Sequence, residues 1–161
     1  MSGQPIRFIG VVLLALSAAT LSAQMPNPYG APINGETAKK VAAAALAEAR
    51  KNNWNMAAAV VDPAGDLVYF EKLDGTQAAS VTIAVDKARS SARFKRPTKA
   101  LQDTLAAGGD GLRVLRLDGA IPVEGGVPIL VDGKIVGAIG VSGGTSAQDG
   151  QCAAAGAAVV R

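Results

Sequence analysis

Apolar residues recur at helical spacing near the start of the folded part of the chain and again in its middle. In Glu36–Lys51, alanine, valine and leucine follow one face and lysine and glutamate the other, which predicts an amphipathic helix. Asn34 is a suitable N-cap for this helix, and Asn52-Asn53 a suitable end. Ala78–Phe94 repeats the pattern and predicts a second helix. Its predicted apolar face consists of Val81, Ala84, Val85, Ala88 and Ala92.

Two pairs of short apolar runs, each joined by turn residues, indicate β-hairpins. Met56–Val61 is apolar throughout, which is typical of a strand buried on both faces, and Leu67–Phe70 follows it. The intervening Asp-Pro-Ala-Gly-Asp sequence has the residues that a type I turn favours. In the second pair, Val127–Val131 and Lys134–Val141 flank Asp132-Gly133, a dipeptide that favours a two-residue hairpin loop.

The order of the predicted elements indicates the fold class. Pro97 ends the second helix, Thr98 can cap a short third helix, and a flexible loop is expected at 108–111. Gln148–Val160 is rich in small residues and predicts a final helix. The order α-β-β-α-α-β-β-α predicts an α+β domain, an antiparallel β-sheet built from hairpins with helices packed on it. Glycines in the last strand predict that another backbone, or a ligand, approaches it closely.

The N-terminal segment is typical of a secretory signal. Met1–Arg7 is short and polar with one positive charge, Phe8–Ala19 is apolar, and small residues follow, so we expect cleavage after Ala23. The weaker alternative is an uncleaved membrane anchor, because the apolar run is shorter than the ~20 residues that a spanning helix needs. Residues 24–35 are then an extended leader and 36–161 a single domain. We expect a periplasmic or secreted protein without membrane association after cleavage.

Composition narrows the chemistry. The chain of 161 residues contains no histidine, which excludes Ser-His-Asp and Cys-His catalysis, histidine-bound zinc and an imidazole base. The net charge is only +3, and the few aromatic residues are not interleaved with the basic ones, so nucleic acid is not an expected partner. Cys152 lies among alanines; a lone cysteine forms no internal disulfide, and this one is expected to be a small buried side chain.

Positive charge is concentrated between Lys87 and Lys99. This basic segment has Asp86 as its nearest acid, which predicts a surface that attracts a small anionic, carboxylate-bearing ligand; the alternative is a solvated helix face. Two acids, Glu124 and Asp149, are less easily explained by turns, although Asp149 can interact with the N-terminus of the last helix. The cations of the basic segment are Lys87, Arg89, Arg93, Lys95, Arg96 and Lys99.

Five sequence blocks stand in order along the chain: VDPAGDLV at 61–68, KLDG at 72–75, KARSSARFKRPT at 87–98, GGVPI at 125–129 and DGKIVGAIGVSG at 132–143. Together they resemble the GlcG/HbpS family of small haem-binding proteins, which includes the C-terminal domain of PduO-type proteins. The resemblance extends from about Glu36 to the C-terminus, with Asp149 following the last block. It implies an α+β domain with an antiparallel sheet, self-association into a homo-oligomer, and haem as cofactor.

The resemblance also suggests how a porphyrin would be held. The haem propionates would bind the basic helix, and family members that bind haem tend to ligate its iron through histidine, which this chain lacks. Tyrosine, thiolate and thioether groups are the chemically suitable replacements, and Tyr29, in the leader, is placed to close over a porphyrin. The expected cofactor-binding residues are Lys87, Arg89, Arg93, Arg96, Thr98, Tyr69 and Tyr29. The candidate iron ligands are Tyr29, Tyr69, Cys152 and Met56, with Met25 as a further thioether.

Two other functions stay open beside haem binding. An enzyme or accessory protein acting on a small organic acid would use the same basic segment, with Lys87 and Glu124 as the first acid–base pair to test. An oligomeric scaffold would use its small-residue helix and glycine-rich strand for subunit packing and bind no small ligand. Binding is favoured over catalysis.

Overall fold

The structure is a computed structural model that describes residues 27–160, so the predicted signal segment and Met25 lie outside the described residues. The predicted order of helices and strands is confirmed, with a 3₁₀ helix added between the third helix and the third strand. The elements are α1 (Gly35–Lys51), β1 (Ala57–Val61), β2 (Leu67–Lys72), α2 (Ser80–Phe94), α3 (Thr98–Ala106), the 3₁₀ helix (Gly109–Arg116), β3 (Gly126–Val131), β4 (Lys134–Ser142) and α4 (Ser146–Ala157).

The four strands form one antiparallel sheet in the order β2-β1-β4-β3. α1 and α4 cover one face of this sheet, and α2 covers the other. β1 is buried along its whole length, as its uniformly apolar sequence predicts. The α+β class and the hairpin-built sheet are therefore confirmed, and the two helical layers leave β2 and β3 as the sheet edges.

Local side-chain chemistry fixes the ends of these elements. Asn34 Oδ1 accepts a hydrogen bond from Thr37 N at 2.8 Å, which confirms the predicted N-cap of α1. In the first hairpin, Asp62 Oδ1 accepts from three consecutive backbone amides of the turn, each at 2.9 Å. In the second, Asp132 and Gly133 have φ values of 48° and 71°, the positive pair that a two-residue hairpin loop requires.

Small residues let α2 lie very close to the sheet. A Cβ atom at Gly140 of β4 would overlap the carbonyl oxygen of Ala84 in α2, so only glycine fits there. Ala84, Ala88 and Ala92 are fully buried against the same strands. The predicted close backbone approach at the glycine-rich strand is thus confirmed, and it explains how a chain with so few aromatic side chains builds a close-packed core.

The buried face of α2 differs from the predicted one. Val81, expected in the core, is 39% exposed, whereas Lys87 is only 1% exposed. The buried row passes through the small residues and Lys87, because these follow one another at intervals of three and four residues and face the sheet together. This row consists of Ser80, Ala84, Lys87, Ala88, Ser91 and Ala92.

Two segments expected to be irregular are ordered. The loop expected at 108–111 instead enters the 3₁₀ helix, with Gly111 N donating to Gly108 O at 2.8 Å. Part of the expected leader is tied to the start of β4, since Gly30 N donates to Ile135 O and Ile33 N donates to Val136 O, both at 2.8 Å. Between residues 27 and 160, no helix is both long and apolar enough to cross a membrane.

Candidate functional site

Lys87 and Asp149 form an ion pair in the interior. The Nζ atom of Lys87 lies 2.7 Å from Asp149 Oδ2, and the two side chains are 1% and 4% exposed. Lys87 Nζ also donates to Val141 O at 3.2 Å, while Asp149 Oδ1 accepts from Gly144 N at 3.0 Å. Burial raises the pKa of Asp149, and the hydrogen bond and charge of Lys87 oppose that rise. The pair joins α2 to α4 across the end of β4.

This ion pair corrects the place given to Lys87. Lys87 was expected on the anion-attracting surface, but its side chain points into the protein because it shares the buried row of α2. The carboxylate that it contacts belongs to Asp149 rather than to Glu124. Glu124 itself is half-buried, its side chain lies against Gly150, and its backbone N–H donates to Gln102 Oε1 at 2.9 Å.

Thr98 is also an internal residue. Its side chain is fully buried, and Oγ1 accepts a hydrogen bond from Gly126 N at 2.9 Å, which ties the start of α3 to the start of β3. The residue at the N-cap position of α3 is Pro97, without a side-chain hydrogen bond, so Thr98 does not cap the helix as predicted. Neither Thr98 nor Lys87 is accessible to a ligand at the surface.

Arg89 and Arg93 lie on the side of α2 opposite to Lys87, and hydrogen bonds to the first hairpin hold them in place. Arg89 Nε donates to Gly65 O at 3.1 Å, and Arg93 Nε donates to Ala64 O at 2.9 Å. Among the described residues, no carboxylate lies within 4.0 Å of either guanidinium group. The same is true of Arg96, whose Nε donates a hydrogen bond to Phe94 O. Each Nε is therefore fixed by the backbone, and the outer nitrogens are available for an anion.

A surface cleft of about 290 Å³ opens beside these two arginines. Its far wall is the segment before β3, which is drawn over α2 because Ile121 N donates to Ser90 Oγ at 3.0 Å. Asp86 contributes one negative charge against the two arginines, so the side chains that line the cleft sum to 2 − 1 = +1. The lining residues are Asp86, Arg89, Arg93, Gly119 and Ile121.

Three of the four candidate iron ligands lie on the other side of the sheet from this cleft. Met56 and Cys152 are fully buried in the core beneath α1 and α4, and burial raises the pKa of the Cys152 thiol to about 11. Tyr69 packs against the same core and donates a hydrogen bond to Glu71 Oε2 at 3.2 Å. Burial and that contact raise the pKa of Tyr69. None of the three faces Arg89 and Arg93.

Tyr29, the fourth candidate, is fixed at the end of α2. Its hydroxyl donates to Ala92 O at 3.0 Å, and the Lys95 ammonium lies 4.1 Å from the ring centroid. It is 43% exposed, but its hydroxyl is engaged with the helix, so the residue expected to close over a porphyrin is instead docked on α2. In the part of the chain that the structure describes, no group of three or more histidine, cysteine, aspartate or glutamate side chains could hold a metal ion.

Comparison with known proteins identifies the family. A family model described as "Haem degrading protein HbpS-like" matches residues 33–158. The chain belongs to the HbpS-like family. Among curated relatives of this HbpS-like chain, Protein GlcG of Escherichia coli K12 is 39% identical over 110 residues, 68% of this chain and 81% of GlcG. An uncharacterized 15.0 kDa protein of Citrobacter freundii is 32% identical over 121 residues, 74% of this chain and 85% of that protein.

Solved structures have the same fold. HbpS superimposes with a TM-score of 0.75 at 32% identity, over 82% of the HbpS-like chain and 92% of HbpS. Klebsiella pneumoniae ORFY gives 0.73 at 27% identity, over 85% of this chain and 96% of that one. The PduOC:haem complex gives 0.72 at 22% identity, over 81% and 96%, which supports the fold alone.

Two of the expected cofactor-binding residues thus line the cleft. Of the expected cofactor-binding residues, the structure brings Arg89 and Arg93 together at one cleft, and places Lys87 and Thr98 inside the protein. Gly119 and Ile121, which complete the cleft, were not foreseen because they belong to a connecting segment without periodicity. The contact that places them is the hydrogen bond from Ile121 N to Ser90 Oγ, and a serine in a helix does not by itself indicate such a partner.

Proposed function

We propose that this chain binds haem or a related tetrapyrrole and that Arg89 and Arg93 hold the carboxylates of that ligand. The observation that carries the proposal is the pair of guanidinium groups, one helical turn apart, fixed through Nε and lining one cleft without a carboxylate partner among the described residues. Charge-assisted hydrogen bonds to carboxylates are among the strongest in proteins, and arginine forms them in a fork geometry. Membership in a family described by haem chemistry supports the same ligand.

The described residues suit the carboxylates of haem better than its iron. The cleft offers two arginines, whereas Met56, Cys152 and Tyr69 lie across the sheet and Tyr29 is bonded to the helix end. PduOC, which has the same fold, forms a haem complex. For this chain we infer a porphyrin held by its carboxylates and its apolar faces, a step that a haem carrier and a haem-degrading protein both need.

Absorbance titration of the purified protein with hemin tests the proposal. We expect a saturable Soret change, and Arg93→Glu should weaken binding at least about tenfold, because one charge-assisted contact contributes about 1.5–3 kcal/mol. Arg96→Glu is the matched control: it makes the same change of charge in the same helix–loop segment, at a residue that does not line the cleft. Equal losses for both variants would show general charge attraction instead of a defined site.

Two porphyrin analogues test the role of iron. If the carboxylates dominate, metal-free protoporphyrin should bind about as tightly as hemin, and the dimethyl ester, which has no free carboxylate, should bind much more weakly. Binding that requires iron would refute this arrangement and point to a protein ligand such as Tyr29. Circular dichroism of each variant establishes that the comparison is made between folded proteins.

A small organic acid is the second candidate ligand. The cleft volume of about 290 Å³ lies just below the range for small-molecule pockets, roughly 300–1,000 Å³, so a small carboxylate would fill the cleft by itself. The acid–base pair considered for catalysis is not assembled around Lys87, so this candidate is a binder. A thermal-shift screen of small acids distinguishes it: a hit that hemin does not displace favours the small acid, and no hit in either assay favours a scaffold.

Export and self-association complete the proposal. The order of charged, apolar and small residues in the first 23 positions supports secretion to the periplasm or beyond. N-terminal sequencing of the exported protein should begin at Gln24, and recovery of an intact Met1 would contradict this. Light scattering on the same preparation measures the oligomeric state, for which a homo-oligomer is expected.

A further inference from the structure

The 3₁₀ helix Gly109–Arg116 separates its side chains into three rows, since residues three apart eclipse one another in this helix type. One row faces inward. Val114 is 6% exposed, and a Cβ atom at Gly111 would overlap the carbonyl oxygen of Thr104, so this row lies directly on α3. A second row is charged and solvated, with Asp110 and Arg113 forming an ion pair at 2.8 Å. These two rows are explained by folding and solubility.

The third row is apolar and has no such explanation. Leu112 and Leu115 are 54% and 64% exposed, and Leu117, just after the helix, is 45% exposed. Leu115 is the most exposed of the large hydrophobic residues in the part of the chain that the structure describes. Three exposed leucines thus fall within six residues of the chain, and exposed apolar patches mark binding surfaces. We call these three residues the leucine patch.

One turn of the chain connects the leucine patch to the arginine cleft. Ala120 N donates to Leu117 O at 3.1 Å, closing a turn whose Gly119 lines the cleft together with Ile121. Ile121 is the single apolar side chain in that lining. At about 290 Å³, the cleft can therefore hold the carboxylate edge of a porphyrin, but it is too small to cover the rings. The nearest large apolar surface along the chain is the leucine patch.

We propose that the leucine patch forms the apolar wall of the ligand site, contacting one face of a tetrapyrrole whose carboxylates are on Arg89 and Arg93. The inference rests on the proposed function and names the residues that make it selective for a large planar ligand. Glycines with positive φ stand at both ends of the segment: Gly108 precedes it, Gly109 is its first residue, and Gly119 follows it. These positive φ values allow the sharp turns by which the chain enters and leaves the segment, which Gly111 and Val114 hold against α3.

A second copy of the chain is the competing occupant of the leucine patch, and the same variants distinguish the two. In Leu115→Ser/Leu117→Ser, we expect hemin affinity to fall at least tenfold. The control Leu130→Ser, an exposed leucine on the edge strand β3, should leave it unchanged. Because all three leucines are at least 39% exposed, the variants should fold, which circular dichroism checks. Light scattering should report the same oligomeric state for all of them.

The outcomes separate the inference from the proposed function. Unchanged hemin affinity in the double variant, with Arg93→Glu still weakening binding, would overturn the inference and leave the proposed function standing. A smaller oligomer with unchanged hemin affinity would also overturn it and assign the patch to a second copy. If the unmodified protein bound no hemin at all, the proposed function would fail first. Hydrogen exchange is the independent readout, with slower exchange at 109–120 expected when hemin is added.

Discussion

Lys87→Met tests whether the buried ion pair holds α2 to α4. Lys87 Nζ lies 2.7 Å from Asp149 Oδ2, and both side chains are almost completely excluded from water. Methionine has nearly the length of lysine, so the substitution leaves little cavity and mainly removes the charge. A buried partner left uncompensated costs about 3–5 kcal/mol, a large part of a typical unfolding free energy of about 5–15 kcal/mol. We expect a loss of that size near neutral pH.

The loss should depend on pH, with a sign that the structure fixes. Burial raises the pKa of Asp149, and Lys87 holds that rise in check through its hydrogen bond and charge. Without Lys87, the folded-state pKa rises further above the unfolded value, and the folded protein binds a proton that the unfolded chain has released. Such a group contributes stability that is present below the unfolded pKa and is lost as pH rises through the folded pKa. The loss should therefore be smaller at about pH 5 than at about pH 7.

Urea unfolding followed by circular dichroism measures the effect at both pH values. Asp149→Asn and the double variant complete a double-mutant cycle, and we expect the double variant to lose less than the sum of the two singles, because it leaves no unpaired charge. The double variant should still be less stable than the unmodified protein, because the carboxylate that accepts from Gly144 N is replaced by an amide oxygen, a weaker acceptor. A loss below about 1 kcal/mol for Lys87→Met, the size expected of a surface pair, would refute the reasoning. An equal loss at both pH values would do the same.

Two further predictions concern packing. Gly140→Ala should lower the unfolding free energy by at least about 2 kcal/mol, because its Cβ would overlap the Ala84 carbonyl oxygen; the control Gly35→Ala, with open space at the start of α1, should be neutral or up to about 1 kcal/mol stabilising. Similar melting temperatures for the two would contradict this packing. The Cys152 thiol, buried with its pKa raised to about 11, should react with Ellman's reagent only after urea unfolding, and rapid reaction of the folded protein would show that α4 leaves it accessible.

The sequence predicts the fold well where local chemistry determines the outcome. Asp132-Gly133 adopts the positive φ values of a hairpin turn, and Asn34 caps α1, because each depends on the residues beside it. Which face of α2 is buried against the sheet is less well predicted. A hydrophobicity count favours Val81 over Lys87 for the core, yet the small residues at Ala84 and Ala88 determine which side can approach the glycines of β4. Close backbone approach, not side-chain apolarity, orients this helix.

Only one wall of the candidate site can be predicted from the sequence, because the residues of the two walls lie far apart along the chain. Arg89 and Arg93 come from one helix and are visible as an i, i+4 pair, but the other wall of the cleft begins some 26 residues later, at Gly119. Its position depends on a side-chain hydrogen bond from Ile121 N to Ser90 Oγ, which no local pattern encodes. The same applies to Tyr29, whose contact with Ala92 O joins residues 63 positions apart.

The helical period of α2 explains how one basic run serves two purposes. Successive residues in an α-helix are about 100° apart, so Lys87 and Arg89 point to nearly opposite sides, whereas Arg89 and Arg93 point to nearly the same side. Lys87 is paired with Asp149 in the core. At the cleft, the two arginines and Asp86 leave a net charge of +1. So small an excess attracts anions weakly at a distance. Selectivity must then come from contact: guanidinium groups whose orientation the first hairpin fixes, and apolar surface for the rest of the ligand.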